Sequence, residues 1–198
     1  MQSAVEIHGL SVSIDQKRIL SDITADIAAR TIVGLLGPSG AGKTTLIRAI
    51  LGLLRVDAGQ VTVLGKPAGS PSLRSEIGYV TQAPSVNSDL TVIENVSYFA
   101  ALLKVGDGDM HSVINKVGLD PVLRQRLWKP FRELAAGGTA ILVSSHVMDE
   151  ADKCDVLIFM RGGGMLIADT KKNVFKKTKS ASMEDAFLRL AEGAPNGS

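Results

Sequence analysis

Eight consecutive residues, Gly37-Pro38-Ser39-Gly40-Ala41-Gly42-Lys43-Thr44, carry glycine, glycine, lysine and a hydroxyl at the spacing G-x-x-x-x-G-K-[S/T]. These types in this order suit one task. Backbone N–H groups can wrap phosphate oxygens only where the chain passes without a Cβ in the way, and glycine reaches the required dihedrals freely. Lys43 supplies a cation for β- and γ-phosphates, and the Thr44 hydroxyl can coordinate Mg²⁺. The flanking elements complete the motif. Thr31-Ile32-Val33-Gly34-Leu35-Leu36 reads as a strand buried on both faces. Lys43 to Leu51, stopped by Gly52, reads as a helix whose N-terminus adds partial positive charge at the phosphate. Binding of a nucleoside triphosphate with Mg²⁺ follows; the glycine loop alone does not separate a kinase, a GTPase and a transport ATPase.

The rest of the chain supplies a scaffold of alternating strands and helices, which predicts an α/β fold with a mostly parallel sheet. Val5 to Ile7 and Ser11 to Ile14 read as two short strand pieces, followed by a polar turn from Asp15 to Arg18 and a strand from Ile19 to Ile27. Further strands are predicted at Val61 to Leu64, Ile77 to Thr81, Ala140 to Ser145, Val156 to Met160 and Met165 to Ala168. Gly162-Gly163-Gly164 reads as the turn between the last two. Thr91-x-x-Glu94 forms a capping box at the head of a helix reaching toward Gly106, Leu123 to Ala136 is helical, and Ser182-x-x-Asp185 caps a final helix. Length suits one domain, 1–198, with 171–198 as a C-terminal tail.

Composition narrows the classes. The 198 residues hold 22 Lys plus Arg against 20 Asp plus Glu, a net charge of +2, too small a field to argue for a nucleic-acid partner. A hydrophobic content of 45% with a mean hydropathy of +0.18 excludes disorder as the dominant state and, with 4% aromatics, requires an aliphatic core. The single cysteine, Cys154, excludes an internal disulfide and reads as a small packed group. The longest charge-free run, Leu134 to Met148, is too short to span a bilayer, and Met1 to Leu10 has no signal-peptide pattern. Five lysines between Lys171 and Lys179 read as a solvated linker, with an anionic-lipid contact as the competing reading. Trp128 reads as packing, and His8 and His111 as surface residues.

Several separate phrases resemble the nucleotide-binding subunit of ABC transporters. Gly34 to Thr45 is close to that family's Walker A wording, Ile77-Gly78-Tyr79-Val80-Thr81-Gln82 resembles its Q-loop strand, and Leu90-Thr91-Val92-x-Glu94-Asn95-Val96 is another family phrase. Val143-Ser144-Ser145-His146 with Met148 to Asp152 resembles its H-loop. The hairpin of Phe159 to Ala168 and the closing Met183 to Leu188 look like the ABC-2 type drug-exporter branch. The resemblance implies a P-loop NTPase core with an antiparallel N-terminal β subdomain, and MgATP held by Gly37, Pro38, Ser39, Gly40, Ala41, Gly42, Lys43, Thr44 and Thr45. It implies Thr44 and Gln82 at the metal and His146 as the catalytic contact to the γ-phosphate. Ile14 stands where the family places an adenine-stacking aromatic, which leaves apolar contact without stacking. It also implies ATP hydrolysis, a separate ABC-2 type transmembrane permease, a homodimer, and a position on the cytoplasmic face of the membrane.

One block of the family pattern is missing. Between Gln82 and His146 the family carries its signature segment and a Walker B strand ending in an Asp and a catalytic Glu; here Val117-Gly118-Leu119-Asp120-Pro121, a D-loop-like phrase, follows directly on the preceding helix. The motif order puts the deficit at about 45 residues, with the junction near 115–118 and the helical signature region and one central strand deleted. The general base and a metal-orienting carboxylate then have no occupant, so a non-hydrolysing nucleotide-binding variant is the alternative reading. Asp149, Glu150 and Asp152 read as a solvated helix start rather than as substitutes. Asn115-Lys116-Val117-Gly118 departs from a guanine-reading motif at Gly118, against a GTPase.

Overall fold

The computed structural model describes residues 2–80, 91, 94, 97, 98, 128–145 and 148–192. The chain divides into two compact units, one formed by Met1–Leu73 with Lys129–Ser198 and the other by Arg74–Trp128.

The first unit holds two four-stranded sheets. The antiparallel sheet is built from β1 (Ser3–Ile14), β2 (Lys17–Ala28), β4 (Ala58–Val63) and β5 (Lys66–Pro67), in the order β2-β1-β4-β5. Its inner face follows from period-2 alternation: Ile23, Ala25 and Ile27 of β2 are buried, with Leu20 before them, while Thr24 and Asp26 are exposed. The two pieces expected in β1 are one strand. Gly9, at φ +59, lies within the register shift between Ile7 and Leu10, so the break in alternation is an irregularity inside a continuous strand. Asp15 and Gln16, both at positive φ, make a two-residue turn that pairs Ile14 with Lys17.

The second sheet has the order β6-β3-β7-β8, with β3 (Ile32–Leu36) parallel to both β6 (Ile141–Ser145) and β7 (Val156–Arg161). β8 (Gly164–Thr170) returns antiparallel to β7. All five residues of β3 are buried, as its unbroken apolar run requires. Its start is tied across the fold: the Asp155 carboxylate accepts the Ile32 N–H at 2.8 Å and takes the Arg132 guanidinium at 2.5 Å. Arg132 lies on α2 (Trp128–Ala136). Cys154 is buried with its Sγ against the Gly34 backbone, and burial pushes its thiol up to about 11, consistent with a packed, unreactive group.

α1 (Lys43–Ile50) buries Leu46, Ala49 and Ile50, a one-sided i, i+3, i+4 pattern. The lysine-rich stretch is a helix rather than a linker. α3 (Lys171–Thr178) is capped by Thr170 and buries Val174 and Thr178, while Lys171 pairs with Asp152 and Lys177 with Asp169. These anchors supply what the expected linker lacked. α4 (Met183–Glu192) begins as expected, with the Ser182 hydroxyl accepting the Asp185 N–H at 3.1 Å. Its Phe187 ring lies 5.6 Å from that of Phe159 in β7.

In the second unit the capping box is formed on both sides. The Thr91 hydroxyl accepts the Glu94 N–H at 3.3 Å, and the Glu94 carboxylate accepts the Thr91 N–H at 2.7 Å. Residues 77–80 do not form the expected strand: Gly78, Tyr79 and Val80 are exposed, and no described strand pairs with them. An apolar run becomes a strand only where a ladder partner is available.

Candidate functional site

The glycine loop leaves the buried end of β3 and enters α1 within six residues, and its path depends on close backbone approach. A Cβ on Gly37 would lie 2.2 Å from the Met160 carbonyl oxygen. One on Gly42, at φ +97, would lie 2.7 Å from the Leu20 side chain. Gly37 tolerates no larger residue without moving the β7 backbone, whereas at Gly42 the end of the Leu20 side chain must shift and the positive φ strains any side chain. Pro38, Ser39 and Gly40, by contrast, are exposed at the rim.

Gly42 is the N-cap of α1 and offers no side-chain cap, and no acidic residue lies in the first turn. Among the described residues, neither the N-cap nor an acidic residue of the first turn therefore occupies the first N–H groups of the helix, whose dipole favours an anion there. This is the electrostatic form of an anion site. Lys43 folds back over the loop, its Nζ donating to the carbonyls of Gly37 at 2.6 Å and Pro38 at 2.8 Å. Partial burial holds its pKa below the usual lysine value. The exposed Thr44 sits beside it, with Thr45 half-buried on the next position. Residues 37–45 can thus offer backbone donors, one cation and a metal-ligating hydroxyl to a polyphosphate.

The other expected site residues divide. Ile14 lies at the tip of the β1–β2 hairpin and is 38% exposed, so an apolar surface is available there. Gln82 and His146 lie outside the described residues, as does the D-loop-like phrase 117–121. Asp152 is engaged by Lys171, and among the described residues no group of His, Cys, Asp and Glu has a metal-binding arrangement. Sequence reasoning missed the supports of the loop. Gly163, at the tip of the β7–β8 hairpin, donates to the Ala41 carbonyl at 3.3 Å, and Asp155 holds the start of β3. The glycine trio announced a turn, and nothing in its local pattern indicated what the turn touches.

A nucleotide-binding α/β fold with this loop between a buried parallel strand and a helix has direct counterparts. The sequence profile described as ABC transporter matches residues 20–150. The chain belongs to the ABC transporter family, as an ATP-binding subunit. The Nod factor export ATP-binding protein I of Rhizobium sp. (strain N33) is 31% identical over 211 aligned positions, covering 82% of this chain and 69% of that protein. Its counterpart in Rhizobium leguminosarum bv. viciae is 29% identical over 208 positions, covering 81% and 67%. Since 81% of 198 residues is about 160, about 48 of the 208 aligned positions have no residue in this chain, close to the deficit expected from motif order. Among solved structures, one titled the ATP binding subunit of an ABC transporter superposes with a TM-score of 0.85 at 19% identity, covering 96% of this chain and 100% of that one. The cbiO1 protein of Clostridium perfringens, part of an ABC transporter complex, superposes with a TM-score of 0.72 at 19% identity, over 95% and 99% of the two chains. These two likenesses establish the fold.

Proposed function

We propose that this chain binds MgATP through Gly37 to Thr45 and acts as the ATP-binding subunit of an exporter, on the cytoplasmic face of a membrane, with a separate ABC-2 type permease forming the pore. The observation that carries the binding reading is the pre-shaped loop: glycines at the positions of closest approach, an uncapped helix N-terminus and the Lys43 ammonium folded over them. On nucleotide binding, the Lys43 ammonium exchanges the Gly37 and Pro38 carbonyls for β- and γ-phosphate oxygens. The N–H groups at the start of α1 would bind the same phosphates, and the Thr44 hydroxyl would hold the metal. Mg²⁺ fits this oxygen-donor set and would neutralise phosphate charge. Ile14 offers an apolar contact to the base, and Gln82 and His146 are assigned the metal and γ-phosphate contacts by family resemblance. The exporter assignment is supported by the Nod factor export proteins among the relatives.

Binding and turnover are separable in this chain. Binding uses residues that are present, whereas the carboxylates that orient metal and water in the family belong to the segment it lacks. Isothermal titration with MgATP tests the reading: saturable binding weakened at least tenfold, about 1.4 kcal/mol, in Lys43→Ala is expected. Equal affinity of the two proteins overturns it. Export itself is tested by reconstitution with the permease, where ATP-dependent transport lost in Lys43→Ala is the expected result.

A further inference from the structure

Three segments distant in sequence meet at the back of the phosphate loop. The β7–β8 hairpin places Gly163, at φ +80, where its N–H donates to the Ala41 carbonyl at 3.3 Å and its own carbonyl accepts the Ser21 N–H at 3.0 Å. One residue of the hairpin thereby joins the loop to β2. The fit is tight on every side. A Cβ on Gly163 would lie 2.3 Å from the Ile19 carbonyl oxygen, one on Gly37 would meet the Met160 carbonyl, and one on Gly42 would lie 3.2 Å from that same Ile19 oxygen. Met160 is fully buried, and Ala41 is almost so. On the outer rim, by contrast, a Cβ on Gly40 would meet nothing within 4 Å among the described residues.

We infer that Gly163 is a positioning residue for nucleotide phosphates: the hairpin tip holds the phosphate loop in its binding shape and ties that shape to β2. It touches no phosphate itself. Its effect passes through the Ala41 carbonyl and the packing of Gly37 and Gly42. Strain placed at this junction distorts the ring of backbone donors, and binding falls with the number of phosphates those donors must meet.

Gly162 provides the control. It occupies the same turn at φ +55, yet a Cβ there would meet nothing within 4 Å. Asparagine accepts positive φ better than other side chains, so Gly162→Asn and Gly163→Asn burden the turn alike and differ in the collision with Ile19. Ser21→Pro removes the donor to Gly163 by another route. β2 is an edge strand and this N–H points away from β1, where proline is tolerated.

The inference rests on the ATP-binding reading, so the full chain is titrated with MgATP and separately with inorganic tripolyphosphate and Mg²⁺, which presents phosphates without a base. Gly163→Asn is expected to weaken both about tenfold, Ser21→Pro to weaken both about threefold, and Gly162→Asn to match the unsubstituted chain. Circular dichroism and thermal melting establish that each variant is folded; if Gly163→Asn is not, Ser21→Pro carries the decision. Unchanged affinity in the folded junction variants overturns the inference, and so does an equal loss in Gly162→Asn. A loss for ATP without one for tripolyphosphate also overturns it, because the hairpin would then act on the base side. Failure of the unsubstituted chain to bind either probe overturns the ATP-binding reading itself, and the inference with it.

Discussion

The two neighbours of β3 are both parallel, both apolar and unequally covered. On one flank, Leu157, Ile158, Phe159 and Met160 of β7 are all buried, with β8 alongside and the Phe187 ring of α4 against Phe159. On the other, Ile141 to Ser144 of β6 are only half-buried, and β3 is the strand they pair with among the described residues. Composition does not explain the difference. An apolar parallel strand is ordinarily flanked and covered on both faces, so what differs is the structure lying beyond each one. The half-covered flank agrees with the expected loss of one strand and with relatives that carry about 48 aligned positions this chain lacks, 81% of its 198 residues being spread over 208 positions. The phosphate loop takes its support from the well-covered side, through Met160 and Gly163.

The largest expected effect tests that inequality. Phe159→Ala should cost about 3–5 kcal/mol in denaturant unfolding, and Leu142→Ala on the half-covered flank about 1 kcal/mol. Equal losses would break the comparison. Asp155→Ala comes next, at about 2 kcal/mol, because it removes the charged acceptor of the Ile32 N–H that anchors β3. A change in stability below about 0.5 kcal/mol would show that β3 is held by its neighbours alone.

A smaller, pH-dependent effect belongs to the covered flank. Asp169 on β8 has its carboxyl held down at about 2, first by the hydrogen-bonded Lys177 ammonium and then by Asn173. A carboxyl lowered on folding stabilises the fold above its ordinary value near 4, and that contribution is lost as pH falls toward 2. The melting difference between the unsubstituted chain and Asp169→Asn should therefore be present at pH 6 and close by pH 2. Its size should stay below about 1 kcal/mol, since Lys177 is exposed and solvent screens the pair. A constant difference across that range would assign the effect to packing instead. The smallest change sets the background away from both flanks: Glu6 and Asp26 face each other across β1 and β2, and Asp26→Lys should raise stability by about 0.5 kcal/mol.

Much of the scaffold was legible because its signals are local. β3, α1, β6, β7, β8 and the caps at Thr91 and Ser182 fall where periodicity and capping residues place them. The failures have local causes as well. Gly9 interrupts an alternation that the backbone continues through, Ile77 to Val80 have strand-like composition without a described partner, and Lys171 to Thr178 hide a helix because its anchors, Asp152 and Asp169, lie on other elements.

The amino-acid sequence by itself determined the phosphate loop and the family. Those follow from residue types at fixed short spacings, where each backbone dihedral and donor is specified by its own residue. Only the tertiary structure decided what holds the loop in place. The Ile32 N–H reaches a carboxylate 123 residues away, and Ala41 meets Gly163 and through it Ser21. Such pairings leave no period or motif in the chain, because their partners become neighbours only when two sheets and a hairpin have folded together.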